Sequence, residues 1–475
     1  MRRTMRLCAW LPPLVSIAAC APMPPASLPE VSVAATFKEA PTAQGASEAA
    51  LAGRWWTLFG DAELDALQQR LSDNSPDLAA ALARYGQARA ASDLLRAAQV
   101  PSIGASLDVQ RDRQALLRPL RVLGPGSPDD YTSATLALDV SYEVDLWGRV
   151  RQRVEAGAAE ARAARADLAG ARLALQAQLA DTWIALRGLD AEVALLRETE
   201  ASYSRAAELI GHRYQAGTAS GLDLARAQTQ LDSTRSQLRQ ALAQRAVLEH
   251  AVATLVGVNA SAFASEPRVV PAVVPAIPVG LPSTLLQRRP DIVAAQERVA
   301  SANASVGVAR AAFFPSLTLA AQGGFQTSDL ARFIEAPNLF WAVGSGLAAT
   351  LFDGGRRQAD IARAKAVLDE AGQRYRGTVL AAFQQVEDQL ALLARYGEAA
   401  ADERSAVAAS QRALDLATNR YRDGMASYLD VVTAQTANLQ ARRNELDLVT
   451  RQRRATVQLV RAIGGGWLAG GDGDV

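Results

Sequence analysis

Two periods organise the chain. In "SATLALDVSYEV", Ala134, Leu136, Leu138, Val140, Tyr142 and Val144 alternate with Ser133, Thr135, Ala137, Asp139, Ser141 and Glu143. Alternation of this kind predicts a strand with one apolar and one wet face. Comparable segments place strands at about 102–113, 131–144, 316–327 and 339–352, the last with the weakest alternation. Elsewhere the period is helical. Segments 76–99 and 290–312 each carry a Pro near the start, and Gly148 to about Tyr214 and Gly355 to about Tyr421 are 67 residues each without a Pro. At 1.5 Å per residue, each long span is roughly 100 Å of helix. A turn glycine follows each, Gly217 and Gly424, and then a returning helix.

The order of elements occurs twice. Pro76 pairs with Pro290 and Pro101 with Pro315, 214 residues apart; Arg149 pairs with Arg356, Tyr214 with Tyr421, Gly217 with Gly424 and Asp223 with Asp430, 207 apart. The lost seven residues fall between Pro101 and Arg149, where "RPLRVLGPGSPDD" reads as a longer loop in the first copy. A period near 210 is too long for a solenoid and predicts a duplicated half. The expected divisions are a signal over 1–19, an extended arm over 20–54 and a first repeat over 55–263. A Pro-rich connector over 264–282, a second repeat over 283–467 and a flexible end over 468–475 follow.

Composition narrows the functions. A formal charge of +1 gives no reason to expect nucleic acid. "MRRTMR" and "LCAWLPPLVSI" have the layout of a secretory signal. The next residues, Ile17 to Cys20, resemble the lipobox of bacterial lipoproteins, in which the Cys becomes the lipidated first residue; a plain signal with a chance Cys is the alternative. Ala21 stands where an Asp typically retains lipoproteins at the inner membrane, so the expected destination is the outer membrane. Cys8 and Cys20 are the only cysteines, leaving the mature chain no free thiol for a disulfide, metal site or nucleophile. No cofactor is expected beyond the lipid on Cys20.

Four strands cannot close a barrel, for which about eight are the practical minimum. Their alternation nevertheless suits a membrane barrel, with apolar residues toward lipid and polar ones toward the lumen. Three chains in a ring would supply twelve strands and remove the exposed edges. The other reading is two small soluble sheets within a helical protein. The long helices need packing along their length, and apolar and Ala positions in "ARADLAGARLALQAQLADTWIAL" suit coiled-coil contacts.

The stretches "SYEVDLWGRVR", "LFDGGRRQADI", "LLQRRPDIVAAQERVASANASVGVARAAFFPSL" and "AIGGGW" resemble the outer-membrane efflux factors, most nearly the NodT/OprM-like lipoproteins of the TolC superfamily. The likeness spans about residues 55–467. It implies a mainly α fold with a small β part. As a homotrimer the chain would form a twelve-strand β-barrel in the outer membrane of a Gram-negative bacterium, continued by a long periplasmic α-helical barrel. It implies a passive exit duct for small molecules such as drugs and toxic compounds, gated at its periplasmic tip. A periplasmic adaptor and a proton-driven inner-membrane pump would be its partners, and outer-membrane lipid its surroundings. A duct for protein secretion is the alternative within the same fold.

The candidate site is the pair of hairpin tips, "RYQAGTASGLDLARAQ" and "RYRDGMASYLDVVTAQ". The resemblance places the gate at Asp223, Asp430, Tyr214, Tyr421, Arg213 and Arg420, and adaptor contact at Gly217, Thr218, Ala219, Ser220, Gly424, Met425, Ala426 and Ser427. Carboxylates crowded at a constriction would repel and tend toward raised pKa values unless paired, with Arg213, Arg226 and Arg420 as candidate partners. The tyrosines could hydrogen-bond across hairpins. The competing reading of each Asp is stabilisation of a helix start. Some relatives carry an Arg five residues after the second tip Tyr; here Ala426, matched by Ala219, stands there, and Thr433 occupies a position where some carry a carboxylate. An enzyme is the poorer reading: His212 and His250 are isolated, and no nucleophile elbow, phosphate loop or metal spacing occurs. A structural lipoprotein without transport is the third rival.

Overall fold

The computed structural model describes residues 28–32, 34–39, 53–113, 115, 130–270, 273–277, 282, 285–465 and 467. The expected signal, Cys20, most of the arm, the loop after residue 115, part of the connector and the C-terminus after 467 lie outside them.

The duplication is plain in the element lengths. The first half holds α1 (Ala62–Asn74), α2 (Pro76–Ala97), β1 (Ser102–Arg113), β2 (Asp130–Val144), α3 (Arg149–Gln215) and α4 (Gly221–Leu255). The second holds α5 (Leu285–Arg288), α6 (Pro290–Ala311), β3 (Ser316–Thr327), β4 (Leu339–Ala348), α7 (Arg356–Arg422) and α8 (Tyr428–Ala462). α2 and α6 both have 22 residues, α3 and α7 both 67, and α4 and α8 both 35. The halves therefore differ mainly where each begins. Pro76 and Pro290 open their helices at the position where the missing N–H costs nothing.

The chain divides into two compact units, and the division falls inside α2, α3, α6 and α7. One unit holds the sheet. Its order is β1-β2-β3-β4, antiparallel throughout, with Leu107 opposite Leu136 and Leu136 opposite Phe325. This register puts Ile103, Leu107, Leu136, Leu138, Leu319, Trp341, Val343 and Leu347 on one face. Asp139 lies on the other, where it accepts hydrogen bonds from Ser106 Oγ at 3.3 Å and Gln322 Nε2 at 2.8 Å. β4 ends at Ala348, four residues short of the expected 352. Its partner β3 starts at Ser316, immediately after Pro315, so the ladder has no strand left to pair with.

Two matched turns carry the sheet into the long helices. Asp145 accepts from the backbone N–H groups of Val150 and Arg151, both at 2.9 Å. Asp353 accepts from Gly355 N at 3.1 Å and from Arg357 Nε at 2.6 Å. Gly148 and Gly354, at φ 75° and 65°, take the left-handed backbone these turns need. Trp147 lies against Phe314 with ring centroids 4.8 Å apart and donates from Nε1 to Pro315 O at 2.7 Å.

The other unit is helical. Its main core gathers Trp55 and Phe59 of a 3-10 turn, Leu64 and Leu71 of α1, Trp183 and Leu186 of α3, Val252 of α4 and Val457 of α8. Described arm residues join it: Phe37 is buried against Phe383, and the backbone N–H groups of Lys38 and Glu39 donate to the Glu387 carboxylate at 2.8 and 3.0 Å. Asp61 caps α1, accepting from Glu63 N at 3.0 Å, and also accepts from Trp183 Nε1 at 2.9 Å. The cap thus fixes the helix to its neighbour as well as satisfying its first turn.

Candidate functional site

Both hairpins turn by the same backbone device. Gly217 has φ 74° and donates to Tyr214 O at 2.9 Å, while Thr218 N donates to Arg213 O at 2.8 Å. Gly424 has φ 75° and donates to Tyr421 O at 3.1 Å, while Met425 N donates to Arg420 O at 2.8 Å. A residue in the left-handed region closes each helix and satisfies its last carbonyls, and glycine adopts that region at no steric cost. Gly217, Thr218, Ser220, Gly424, Met425 and Ser427 are exposed, whereas Ala219 and Ala426 are half-buried.

The two aspartates occupy matching places at the starts of the returning helices. Ser220 caps α4: its Oγ accepts from Asp223 N at 3.1 Å and donates to Asp223 Oδ2 at 2.7 Å. Arg226 reaches Asp223 at 3.6 Å. Asp430 accepts from both the N–H and the Oγ–H of Ser427, each at 2.9 Å. The Ser427 hydroxyl, then its backbone N–H, and then the Arg420 charge hold the Asp430 carboxyl below its usual value. Crowding was expected to act in the opposite sense; within one chain, capping of the helix start wins.

The expected arginine partners divide. Arg226 pairs with Asp223, and Arg420 acts on Asp430 through its charge. Arg213 instead lies over the ring of Tyr421, 5.6 Å from its centroid, joining the end of α3 to the end of α7. Tyr421 therefore makes its cross-hairpin contact through its ring. Tyr214 lies near Gly221 of its own hairpin, where an added Cβ would sit 3.5 Å from the ring.

One residue central to the tips was missed. Tyr428 is 5 % exposed, although it opens α8 beside the exposed turn. Its ring lies 5.4 Å from that of Tyr421. Ile210, Ala227, Tyr428 and Val431 form one buried cluster, two residues from each hairpin. Burial pushes the Tyr428 hydroxyl up to about 12, with Tyr421, Tyr203 and Asp223 adding to the shift. The available signal was a break in the repeat: 207 residues earlier stands Gly221.

Because the Asp430 carboxylate is favoured in the folded chain, its contribution to stability is complete above the unfolded carboxyl pKa of about 3.9 and disappears as pH falls through the lower folded value. Asp430→Asn is expected to lower the melting temperature at pH 7, and by progressively less as pH falls below the unfolded carboxyl value, by comparison with the parent chain. Thermal melts of both proteins across that range check this; an equal deficit at both ends would remove charge from the account.

A sheet with a continuous exposed apolar face, continued by long helical hairpins, defines the class as an outer-membrane channel subunit. The chain belongs to the outer membrane efflux protein family, whose model matches residues 67–258 and 281–465. The pyoverdine export outer membrane protein OpmQ of Pseudomonas putida is 33% identical over 470 residues, covering 97% of each chain. OprJ, an outer membrane protein of Pseudomonas aeruginosa, is 32% identical, covering 95% of this chain and 94% of its own. The solved structure of the outer-membrane channel OprN superposes with a TM-score of 0.85 at 29% identity, covering 94% of this chain and 99% of the other. The protein is an outer-membrane efflux protein of the TolC type.

Proposed function

We propose that three copies of the chain close their sheets into one twelve-strand barrel and act as the passive exit duct of a tripartite efflux system. The observation that carries this is the sheet. Trp341 and Val343 are each 75% exposed and Ile103 73%, all on one apolar face, while β1 and β4 each have one edge unpaired among the described residues. Water would penalise such a face and such edges; lipid and neighbouring strands remove both penalties. A periplasmic adaptor and a proton-driven inner-membrane pump deliver small molecules to the duct. The tips form its gate, and Cys20 carries the lipid anchor. Choice of cargo rests with the pump.

Native mass spectrometry of the full chain in detergent is expected to give three subunits, each with added acyl mass at an N-terminal Cys20. The same trimers in planar bilayers are expected to conduct. A stable folded monomer with no conductance overturns the duct. In the same recordings, Asp223→Asn and Asp430→Asn shift the reversal potential toward lower cation preference if these carboxylates face the constriction as a negative ring. An unchanged potential leaves them solely as helix-start groups.

A further inference from the structure

The offsets that relate the two halves can be checked on ladders within the sheet. β1 is repeated in β3 214 residues on, and β2 in β4 207 residues on. Carried through these offsets, the pair Ser102 and Ser141 becomes Ser316 and Ala348. The pair Arg111 and Thr132 becomes Phe325 and Leu339. Both products are directly opposed in the β3–β4 ladder. The duplication has therefore kept strand register to the residue. The same offsets carry the β2–β3 ladder onto β4 and β1. These are the two outer strands of the sheet, so the ladder they specify has no place within one chain. Its eleven pairs run from Ala134 opposite Thr327 to Val144 opposite Leu317. They become Trp341 opposite Arg113 through to Leu351 opposite Ile103.

We infer that the open edges of β4 and β1 meet between neighbouring copies in this register, with residue 347 of one copy opposite residue 107 of the next. The inference rests on the duct reading and supplies the ladder that joins its subunits. Directly opposed residues share a face of a sheet, and a slip by one residue would send each strand's apolar set to the wrong side. The inferred register sets Leu347 against Leu107 and Leu351 against Ile103, apolar with apolar. A slip by two residues would also keep the faces, and the duplicated register is what excludes it. Side-chain size agrees on the wet face. Gly344 and Gly346 of β4 come opposite Gln110 and Asp108 of the next copy, and a Cβ added at either glycine meets nothing within one chain. The short β4 is explained as well. Alternation continues through Leu351, which is 94% exposed, although β3 has no residue left to pair there. In the inferred ladder residues 349–351 are paired, by β1 of the next copy. At the other end Trp341 comes opposite Arg113, where a guanidinium can lie on the indole face.

The test is disulfide trapping in the full-length protein. Cys8 and Cys20 fall in the signal and at the proposed lipid site, so introduced thiols have no rivals. Ser106→Cys with Ala348→Cys joins residues the register opposes. Ser106→Cys with Gly346→Cys, and Ser106→Cys with Thr350→Cys, are displaced by two residues on the same face. Opposed Cα atoms lie about 4.5–5.5 Å apart, inside the disulfide range of about 4.4–6.8 Å, whereas displaced pairs lie about 7–8 Å apart. After mild copper–phenanthroline oxidation, the opposed pair is expected to give at least about tenfold more covalent trimer on a denaturing gel than either displaced pair. Thr135→Cys with Gln326→Cys, opposed within one chain, is expected to stay a single chain. Should the 106/348 variant fail to insert, Leu107→Cys with Leu347→Cys on the outer face decides by the same reading. Trimers in native mass spectrometry that cross-link better through a displaced pair, or through none of the pairs, overturn the register and leave the duct standing. Monomers throughout, with no covalent trimer from any pair, overturn the duct and the register with it.

Discussion

Arginine at positions 218 and 425 together, Thr218→Arg with Met425→Arg, is expected to abolish export while the trimer still assembles and inserts. The tips Gly217–Ser220 and Gly424–Ser427 carry no charged side chain. Such surfaces suit close approach by a hairpin of an adaptor protein. The half-buried Ala219 and Ala426 are the less discriminating positions for this test. Ala219 packs against the Ile210 cluster, so a large side chain there would disturb that cluster as well as the outer surface. Met425 is 63% exposed, and the Thr218 backbone N–H retains its bond to Arg213 O whatever its side chain. Two guanidinium groups pressed into a contact without partners cost several kcal/mol, enough to weaken binding by more than about tenfold. The measurement is drug accumulation in cells relying on this duct, set beside bilayer conductance of the purified variant. Lost export with normal conductance locates the docking surface. Normal export shows that the adaptor docks elsewhere.

The pattern along the chain carried the elements well and the contacts poorly. The long helices were expected from Gly148 and Gly355 to about Tyr214 and Tyr421, and run Arg149–Gln215 and Arg356–Arg422. These bounds were legible because a strand alternation, a glycine turn and an uninterrupted helical period follow one another in each half. The end of β4 was not, because it depends on where another strand begins. Alternation through Leu351 and Phe352 says nothing about Pro315. At the tips, the register of Asp223 and Asp430 was visible, but the direction of each carboxylate was not: Ser220 and Ser427 claim them locally. Arg213 was read as a carboxylate partner because charge suggests charge; the fold offers it a tyrosine face instead. Tyr428 was in view throughout, as the large residue opposite a glycine in an otherwise repeated stretch. Repetition drew attention to what the halves share, whereas the contact between the hairpin tips is built from where they differ.

A second group of residues was illegible for a different reason, and it carries the largest expected loss of stability. Asp190 lies in the middle of α3 in "LRGLDAEV", with nothing nearby in sequence to mark it except Arg187. In the fold it is fully buried between two guanidinium groups: Oδ1 accepts from Arg245 Nε and Oδ2 from Arg187 Nη1, both at 2.7 Å. Both arginines also hold the segment that leaves α4 for the connector. Arg187 donates to Glu266 O at 2.8 Å and Ser265 Oγ at 3.1 Å, and Arg245 donates to Ser265 O. Arg268 N reaches Asp190 Oδ2 at 3.3 Å. Glu63 of α1 closes the group, accepting from Arg187 at 2.6 Å. Asp190 is therefore the carboxylate shared by two buried cations that join α1, α3, α4 and the start of the connector, with Glu63 and Glu249 each pairing with one of them at the margin. Asp190→Ala removes that shared carboxylate and leaves the guanidinium groups in place, for an expected loss of about 3–5 kcal/mol. Asp190→Asn keeps the shape and part of the bonding, and is expected to lose less. Urea unfolding gives the magnitude, and limited trypsin cleavage after Arg268 gives the location, since release of residues 265–268 exposes that bond before the helices open. Residual pairing of Arg187 with Glu63 and of Arg245 with Glu249 works against the loss. Should it reduce the change to within about 0.5 kcal/mol, the range of an ordinary surface substitution, those outer carboxylates carry the cations and Asp190 is not the centre of the network.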